Sequence, residues 1–467
     1  MSGKFDLYLS IAHDKGLCAL VKRCKWIRYA GALGVDWKES WEEGRDVEYL
    51  KDICTAVAEA SRSHEVEDLA HLIGEKLRAA PMRPDYPYNE PNDFASIRAA
   101  RPKTAPKLPQ FRPDRYQDQL EGAWIGRIAG CLLGKPTEGF KRCQIQAVLQ
   151  HTGDKPLSHY IARSDLPEDF AQTQGLNPKW FENRFWIDRL EEAAPVDDDT
   201  NYTVFTLKLI ENYGRNFTPD NVLEGWMGWI PMLSTCTAER VAYRNAAAGM
   251  LPPSTAVYQN PYRERIGAQI RGDLFGYICP GNPELAAEYA WRDASISHVH
   301  NGIYGEMFIA AMIAAAAVTD DEQLILDAGL AQIPEKCRLR RDIDAVRSWF
   351  RDGLSADAVT DRVHTLYNEY DAHEWCHTIS NAMIVTMALL FCKKDLGKAI
   401  CLAVEAAFDT DCNGATVGSI LGILLGKTGI DPYWYETFHS RLFTTIVDYT
   451  DVTVEQLAQH TYALVEA

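Results

Sequence analysis

The chain has 467 residues, of which 46% are apolar and 24% are charged, so it is long enough to bury a substantial core. These proportions exclude a disordered chain, a collagen-like chain and a disulfide-stapled miniprotein. Lysines and arginines number 48 against 65 aspartates and glutamates, which gives a net charge of −17. Because a chain this acidic repels nucleic acid and anionic membranes, we predict neither as a partner.

The cysteine usage and the apolar runs indicate the compartment. The twelve cysteines are scattered and none forms a C-x-x-C pair, which favours a reducing environment over a disulfide framework. The first residues lack the layout of a signal peptide. The most apolar run, 303–318, contains Glu306 and is too short to span a bilayer. We therefore predict a soluble, cytoplasmic protein.

Three regions follow one another along the chain. Residues 1–80 carry apolar residues at helical spacing and predict an N-terminal helical extension. Residues 81–115 contain eight prolines, a density that disfavours regular helix and predicts an extended arm or linker. From 116 to 467 the helical pattern returns without a convincing series of strands, which predicts a compact all-α domain. The arm is expected to cover a pocket or to mediate dimerisation, so an oligomer stays open.

Two segments of the last region carry glycine at every fourth position. The first series is Gly122, Gly126, Gly130 and Gly134, and the second is Gly414, Gly418, Gly422 and Gly426. Because four residues are slightly more than one helical turn, each series marks a stripe without side chains along a helix. Glycine costs about 1 kcal/mol per helical position relative to alanine. Eight of them therefore predict two central helices that allow close packing.

Acidic residues cluster at two predicted helix starts. The sequence DDDT at 197–200 precedes an amphipathic helix over 201–213, and Asp409-Thr410-Asp411 precedes the second glycine helix. One aspartate is enough to cap a helix, whereas adjacent carboxylates repel one another unless a cation lies among them. If the two starts converge, they form an oxygen-only site that favours Mg²⁺, Mn²⁺ or Ca²⁺ and can hold two ions. The alternative is ordinary capping of two separate helices.

Taken in chain order, these motifs resemble the ADP-ribosylglycohydrolase family. The resemblance rests on the first glycine series with Pro136 and Glu138, DDDT at 197–200, Ser297-His298, and DTDCNGA at 409–415. It covers roughly residues 116–430 and leaves the first 115 unexplained. It implies an all-α hydrolase, a glycosidase with a binuclear magnesium or manganese site that cleaves a ribosyl bond. The implied partner is a small ribosyl compound or an ADP-ribosylated macromolecule.

The resemblance also implies roles for individual side chains. The implied metal ligands are Asp197, Asp198, Asp199, Asp409, Asp411 and Cys412. The predicted catalytic residues are Glu138, Asp199 and Asp411. The predicted substrate contacts are His298, Gln269, Arg271, Asn301 and Gly302. Cleavage passes through an oxocarbenium-like state that carboxylates stabilise, and Glu138 can deprotonate the attacking water. The alternatives are a surface glutamate at 138 and a satisfied core histidine at 298.

Three positions depart from the family's metal-binding pattern. Threonine usually stands where this chain has Asp197 and Cys412, and aspartate where it has Cys131. Asp197 is a stronger ligand than threonine. Sulfur is a soft donor and poor for magnesium, so Cys412 either weakens one metal position or only packs.

A further departure lies at residues 260–271. In the family this region is a glycine-rich loop whose backbone holds a diphosphate, and here bulky residues take most of the glycine positions. Either Arg263, Arg265 or Arg271 replaces those contacts, or the substrate lacks the diphosphate. We favour the second interpretation, a smaller ribosyl or nucleoside-like compound.

Two other functions compete with this one. His373-Glu374-Trp375-Cys376-His377 matches H-E-x-x-H, which on a helix directs two histidines at zinc and uses the glutamate as a base. Glu405 would be the third ligand of such a metalloprotease. We discount it because residues 368–372 are typical of a helix boundary and no second protease feature is present. The other competitor is a non-catalytic ADP-ribose or ligand-binding protein whose altered metal ligands mark a lost activity.

Overall fold

The computed structural model describes residues 26–60 and 63–465. Regular structure is almost entirely helical, which confirms the predicted all-α fold. Residues 1–25 of the predicted N-terminal extension lie outside the described residues. Within the described ranges, no helix is both long enough and apolar enough to cross a bilayer.

The α-helices fall into two groups along the chain. The first group is α1 Leu33–Glu42, α2 Lys51–Glu59, α3 His64–Ala79 and α4 Phe94–Ala100. The second group is α5 Tyr116–Gly134, α6 Arg142–Thr152, α7 Phe170–Thr173, α8 Pro178–Glu182, α9 Asp198–Tyr213, α10 Pro219–Trp229, α11 Thr237–Ala247, α12 Ser254–Val257, α13 Asp273–Tyr277, α14 Pro283–Ala294, α15 His300–Ala316, α16 Glu322–Leu330, α17 Arg338–Arg351, α18 Ala356–Leu366, α19 Thr378–Phe391, α20 Leu396–Glu405, α21 Thr410–Leu425, α22 Tyr433–Glu436 and α23 Val454–Val465. Strands β1 Arg441–Phe443 and β2 Asp451–Thr453 form a small antiparallel ribbon.

The two glycine series form one antiparallel contact between α5 and α21. A Cβ at Gly126 would lie 2.0 Å from the carbonyl oxygen of Gly418, and one at Gly130 would lie 2.0 Å from that of Gly414. These separations are far below van der Waals contact, so only glycine permits the two backbones to touch. The prediction of two closely packed central helices is therefore confirmed.

Apolar helices surround this central pair. Nearly every residue of α15 and α19 is buried, since their sequences are apolar on all sides. The helix α9 begins at Asp198 after its N-cap residue, Asp197, and ends at Tyr213, as predicted. It is buried on all sides from Asp199 to Ile210, so the prediction of an amphipathic helix is wrong. The acidic starts of α9 and α21 therefore belong to helices that are anchored in the main core.

The N-terminal extension has a small core of its own. Tyr29, Leu33, Leu50, Ile73 and Leu77 are buried together between α1, α2 and α3. A second apolar cluster, in which Ala32 meets Ala238 and Val241 of α11, joins the extension to the main body.

The proline-rich arm differs from the prediction in one respect. It contains the helix α4, although the proline density predicted no regular helix. The reason is local: residues 92–101 form a proline-free window, and Asp93 caps the helix by accepting a hydrogen bond from the Ser96 N–H.

The glycine contact generates a stability prediction. Gly126→Ala should lower the free energy of unfolding by at least about 1–3 kcal/mol, the usual cost of overpacking, because its methyl group overlaps the Gly418 backbone. Gly228→Ala is the matched control, since Gly228 is an exposed helical glycine with open space around it and gains about 1 kcal/mol of helix propensity. Urea-unfolding midpoints measure both changes. Equal midpoints for the two variants would contradict the contact.

Candidate active site

The expected convergence of the two acidic helix starts is present in the structure. Both lie at the C-terminal end of α5, where Gly134 is so close to α21 that a Cβ would meet the Asp411 nitrogen at 2.4 Å. The Thr410 hydroxyl donates to the Gly134 carbonyl at 2.8 Å and fixes this approach. The Asp197 carboxylate caps α9 by accepting from the Asp199 N–H at 3.0 Å. The glycine contact therefore positions the acidic cluster.

A fully buried arginine on α5 joins the elements around this cluster. Arg127 Nη2 donates to Asp199 Oδ1 at 2.9 Å and to the Ile270 carbonyl at 2.7 Å. Its Nη1 lies 3.3 Å from the Asp273 carboxylate. One guanidinium thus links α5, α9, α13 and the 269–271 turn, and it offsets part of the buried negative charge.

Three groups of side chains in the cluster have ligand atoms close enough to share an ion. Within each group the atoms lie within 4.8 Å of one another. The groups are Cys131 with Asp197 and Asp199, Asp199 with Asp411 and Cys412, and Glu138 with Asp409 and Asp411. Asp199 and Asp411 each belong to two groups, so the groups form one continuous centre. Asp198, which the resemblance also implies as a ligand, is half-buried beside them and belongs to none of the three.

Burial and mutual repulsion dominate the electrostatics of the centre. Burial, followed by the charges of Glu138 and Asp409, raises the pKa of Asp411 well above its ordinary value. Burial likewise raises the pKa of Asp199, although the neighbouring Arg127 opposes the shift. An added cation would therefore stabilise the ionised carboxylates of this centre.

One of the carboxylates already has a cation. The Lys135 ammonium pairs with Asp197 Oδ2. Burial favours the neutral acid at Asp197, but Lys135 outweighs it and holds the pKa of this carboxyl below its ordinary value. Sequence reasoning missed Lys135 as well as Arg127. Helical spacing was the available signal, since residues 127 and 131 of α5 and its C-cap residue 135 recur every four positions.

Glu138 lies at the edge of the centre and is partly exposed. Burial and then the Asp409 charge raise the pKa of its carboxyl. A surface cavity of about 820 Å³ opens beside it and is lined by Lys135, Glu138, Asn177, Lys179, Trp180, Asn183, Arg184 and Phe185. The acidic centre therefore has an opening with basic and aromatic side chains at its rim.

Two of the five predicted substrate residues keep buried polar atoms without a partner among the described residues. These are both amide atoms of Gln269 and the Nε2 atom of His298. His298 Nδ1 lies 2.8 Å from the Ser297 hydroxyl, and burial followed by the Arg271 charge holds the pKa of the imidazole well below its usual range. A neutral ring with one open nitrogen is compatible with a ligand contact.

The other three predicted substrate residues are engaged internally. Arg271 is fully buried and forms ion pairs with Glu239 at 2.9 Å and Asp293 at 2.5 Å. Asn301 donates to Glu264 at 2.9 Å. Gly302 lies against backbone, since a Cβ there would meet the Arg263 carbonyl oxygen at 2.6 Å. Packing and charge pairing account for these positions without a ligand.

The other arginines of the 260–271 segment are also occupied. Arg263 pairs with Glu43 at 2.7 Å and with Asp36 at 2.5 Å, both on the N-terminal extension or its edge. Arg265 donates to the Ala372 carbonyl and lies over the Tyr262 ring. The arginines that the sequence offered for binding a diphosphate are therefore in contact with the extension or with the core instead.

The H-E-x-x-H motif does not form the geometry of a zinc protease. His373 precedes a short 3₁₀ turn, Glu374–Cys376, and His377 caps α19, so the two histidines are not on one α-helical face. Glu374 instead pairs with Lys38 at 2.6 Å. Glu405, the nominated third ligand, accepts a hydrogen bond from the Leu157 N–H at 2.7 Å. The protease alternative is therefore wrong in its geometry.

The two histidines serve a buried polar cluster at the extension. His373 and His377 have ring centroids 5.0 Å apart and lie within ligand distance of Glu39. The Ile379 N–H donates to His377 Nδ1 at 3.1 Å, and His377 Nε2 lies 3.5 Å from Glu264 Oε2. One ring nitrogen of His377 is therefore engaged by backbone, and the other faces a carboxylate.

Comparison with known proteins identifies the family. The family model described as ADP-ribosylglycohydrolase matches residues 112–466. This chain belongs to the ADP-ribosylglycohydrolase family. Membership supports a glycosyl hydrolase-like function for the chain. The predicted resemblance is confirmed, and the match reaches well beyond the 116–430 region on which it rested.

The comparisons with individual proteins add little to the family assignment. A solved structure titled "ADP-ribosylglycohydrolase-related protein complex" is 18% identical and matches with a TM-score of 0.43, covering 75% of this chain and 98% of its own. No protein of curated function matches the chain.

The pairing of Arg263 with the extension generates a second prediction. Arg263→Met leaves Asp36 and Glu43 buried without their partner, which should cost about 3–5 kcal/mol of stability and expose the extension to protease. Arg98→Met is the control, because its ion pair with Glu284 is solvent-exposed and contributes about 1 kcal/mol or less. Unfolding midpoints and the rate of proteolysis within residues 26–80 check both. Unchanged proteolysis in Arg263→Met would argue against a docked extension.

Proposed function

We propose that this protein is a metal-dependent hydrolase that cleaves the glycosidic bond of a ribosyl compound. The observation that carries the proposal is the chain of shared carboxylates, in which Asp199 and Asp411 each belong to two potential metal groups. Carboxylates shared in this way are typical of sites that hold two ions a few ångströms apart. Family membership supports the same class of reaction.

The donor chemistry fits divalent cations. Asp199 Oδ2 and Asp411 Oδ1 are buried and have no hydrogen-bond partner among the described residues, so both are open to an ion. The group of Glu138, Asp409 and Asp411 offers only oxygen, which suits Mg²⁺ or Mn²⁺. Members of the family generally bind divalent metals. When bound, such ions would orient the ribose hydroxyls and lower the pKa of water.

The remaining steps belong to side chains of this chain. Glu138, at the opening of the centre, accepts a proton from water, whose oxygen then attacks the anomeric carbon. As the bond from that carbon to the leaving group breaks, positive charge develops on the sugar, and Asp199 and Asp411 stabilise it. The leaving group departs with the bonding electrons and takes up a proton from solvent. Arg127 keeps Asp199 in position through its hydrogen bond.

The contacts of the 260–271 segment support a substrate that lacks a diphosphate. Arg263 and Arg271 are saturated by buried carboxylates, and Arg265 is hydrogen-bonded to backbone. Bulky side chains also keep a phosphate away from the backbone N–H groups of this segment. A nucleoside-like or other small ribosyl compound needs neither kind of contact.

An ADP-ribosylated substrate is the second candidate. The observation in its favour is the cavity beside Glu138, where Lys179 and Arg184 contribute positive charge and Trp180 an exposed aromatic face. Arg184 already donates to the carbonyls of Pro136 and Glu138, so Lys179 is the more available cation. A phosphate held there would lie outside the acidic centre.

Metal binding separates the hydrolase from ordinary helix capping. Asp411→Asn removes a shared ligand and should abolish calorimetric Mn²⁺ or Mg²⁺ binding together with hydrolysis of ribosyl substrates. Asp321→Asn is the control, because Asp321 is likewise an aspartate at the start of a helix, α16, where it is the N-cap, but lies away from the centre. The control should retain both. Metal binding by the wild type without turnover on any ribosyl substrate would instead favour the non-catalytic binder.

The choice of substrate can be measured directly. We expect the wild type to cleave nucleoside-like compounds, releasing ribose, faster than ADP-ribosylated ones, releasing ADP-ribose, and Lys179→Gln to leave the first reaction unchanged. Lys398→Gln, an exposed lysine on α20, controls for loss of surface charge. A preference for ADP-ribosylated substrates whose KM rises at least about tenfold in Lys179→Gln would reverse the assignment in favour of the second candidate.

A further inference from the structure

One of the three potential metal groups combines open carboxylate oxygens with a thiol. Its members are Asp199, Asp411 and Cys412, whose ligand atoms lie within 4.8 Å of one another. Asp199 is fully buried, Asp411 is 4% exposed and Cys412 is 7% exposed. Both Asp199 Oδ2 and Asp411 Oδ1 lack a hydrogen-bond partner among the described residues. Buried carboxylate oxygens seldom remain unpartnered, so these two atoms point to a missing cation.

The neighbouring contacts leave carboxylate oxygens of this group without a positively charged partner. Asp197 is satisfied on both oxygens, since Oδ2 pairs with Lys135 and Oδ1 accepts from the Asp199 N–H. The group that contains Asp197 and Cys131 therefore already has its cation. Of the two Asp199 carboxylate oxygens, Arg127 bonds only Oδ1, and the adjacent Cys412 thiol is the carboxylate's other polar neighbour.

The Cys412 thiol adds a donor of a different kind. Mg²⁺ prefers oxygen ligands in octahedral geometry, whereas Zn²⁺, Co²⁺ and Fe²⁺ accept thiolate, imidazole and carboxylate together. Two carboxylates and one thiolate supply three negative charges. A divalent ion neutralises two of them, and the buried Arg127 guanidinium, which Asp199 shares with Asp273, offsets part of the third.

We propose that Asp199, Asp411 and Cys412 bind one thiolate-accepting transition-metal ion of the Zn²⁺, Co²⁺ or Fe²⁺ class, with Cys412 Sγ bonded to the ion. The oxygen-only group of Glu138, Asp409 and Asp411 keeps the Mg²⁺ or Mn²⁺ position, so the centre holds two chemically different ions. The inference rests on the proposed function only in that the centre binds metal. As the ion binds, the thiol proton passes to solvent and the sulfur lone pair forms the bond to the metal.

Cobalt provides a direct readout of the sulfur bond. Metal-free protein titrated with Co²⁺ should develop the near-ultraviolet thiolate-to-cobalt charge-transfer absorption with one equivalent per chain. Cys412→Ser should abolish that band. It should also lower the Zn²⁺ affinity by at least about tenfold, because removing even a group that only hydrogen-bonds to a metal ligand costs that much. Binding of Mg²⁺ or Mn²⁺ by the variant should change little.

Two further variants control for the loss of a buried thiol. Cys401→Ser removes a thiol that is 2% exposed on α20, away from the centre, and should keep the band. Cys412→Thr replaces the thiol with a hydroxyl on a branched side chain. The variant offers oxygen in place of sulfur, so it should bind Mg²⁺ or Mn²⁺ and lack the band. Circular dichroism of each variant separates a lost ligand from a lost fold.

The possible outcomes distinguish this inference from the proposed function. Co²⁺ binding without a charge-transfer band, in a protein that binds Mn²⁺ and hydrolyses a ribosyl substrate, overturns the inference and leaves the function intact. Persistence of the band in Cys412→Ser overturns the assignment to Cys412. If the wild type binds no divalent metal, both fail. A band that depends on Cys412 supports the inference even if no substrate is turned over.

Discussion

The backbone contact between α5 and α21 determines where every other part of the centre can lie. With four glycines along α5, and three along α21 followed by Gly426 as its C-cap, the axes approach until carbonyl oxygens of one helix lie against the backbone of the other. The contact ends at Gly134, directly beside Thr410 and Asp411. A methyl group anywhere along this line would push apart the helices and, with them, the start of α21 from Glu138.

A contact of this kind also permits an unusual concentration of buried charge. Burying a carboxylate is unfavourable unless cations and hydrogen bonds accompany it. Arg127 projects from α5, Lys135 directly follows the end of α5, and each pairs with one aspartate at the start of α9. They neutralise part of the cluster and leave Asp199 and Asp411 with open oxygens. The arrangement is stable enough to fold and still favours the binding of further cations.

The fold and the acidic centre were largely readable from the sequence because their signals are local and repeated. Glycine at every fourth position and aspartates at two helix starts are patterns within single segments. The sequence did not predict roles for Arg127 and Lys135, because a single charged residue in an apolar segment does not indicate which carboxylate it pairs with. The H-E-x-x-H spacing gave a wrong prediction for a related reason. It places both histidines on one face only if the segment forms an α-helix, and here the segment is a 3₁₀ turn followed by the start of α19. In the arm, the high overall proline content obscured the proline-free stretch 92–101, which is long enough to form α4.

The N-terminal extension and the altered 260–271 segment are best understood as two halves of one change. A glycine-rich loop has no side chains with which to hold a neighbouring element, whereas this segment carries Arg263, buried between Asp36 and Glu43 of the extension. Glu264 of the same segment joins Arg338 and the arm residue Glu90 in a second buried pairing. Removing the extension would take the carboxylate partners from Arg263 and open the face that the extension covers. Bulky residues that argue against a diphosphate loop, Arg263 and Glu264, thus lie in the ion pairs that join the described part of the extension and the arm to the core.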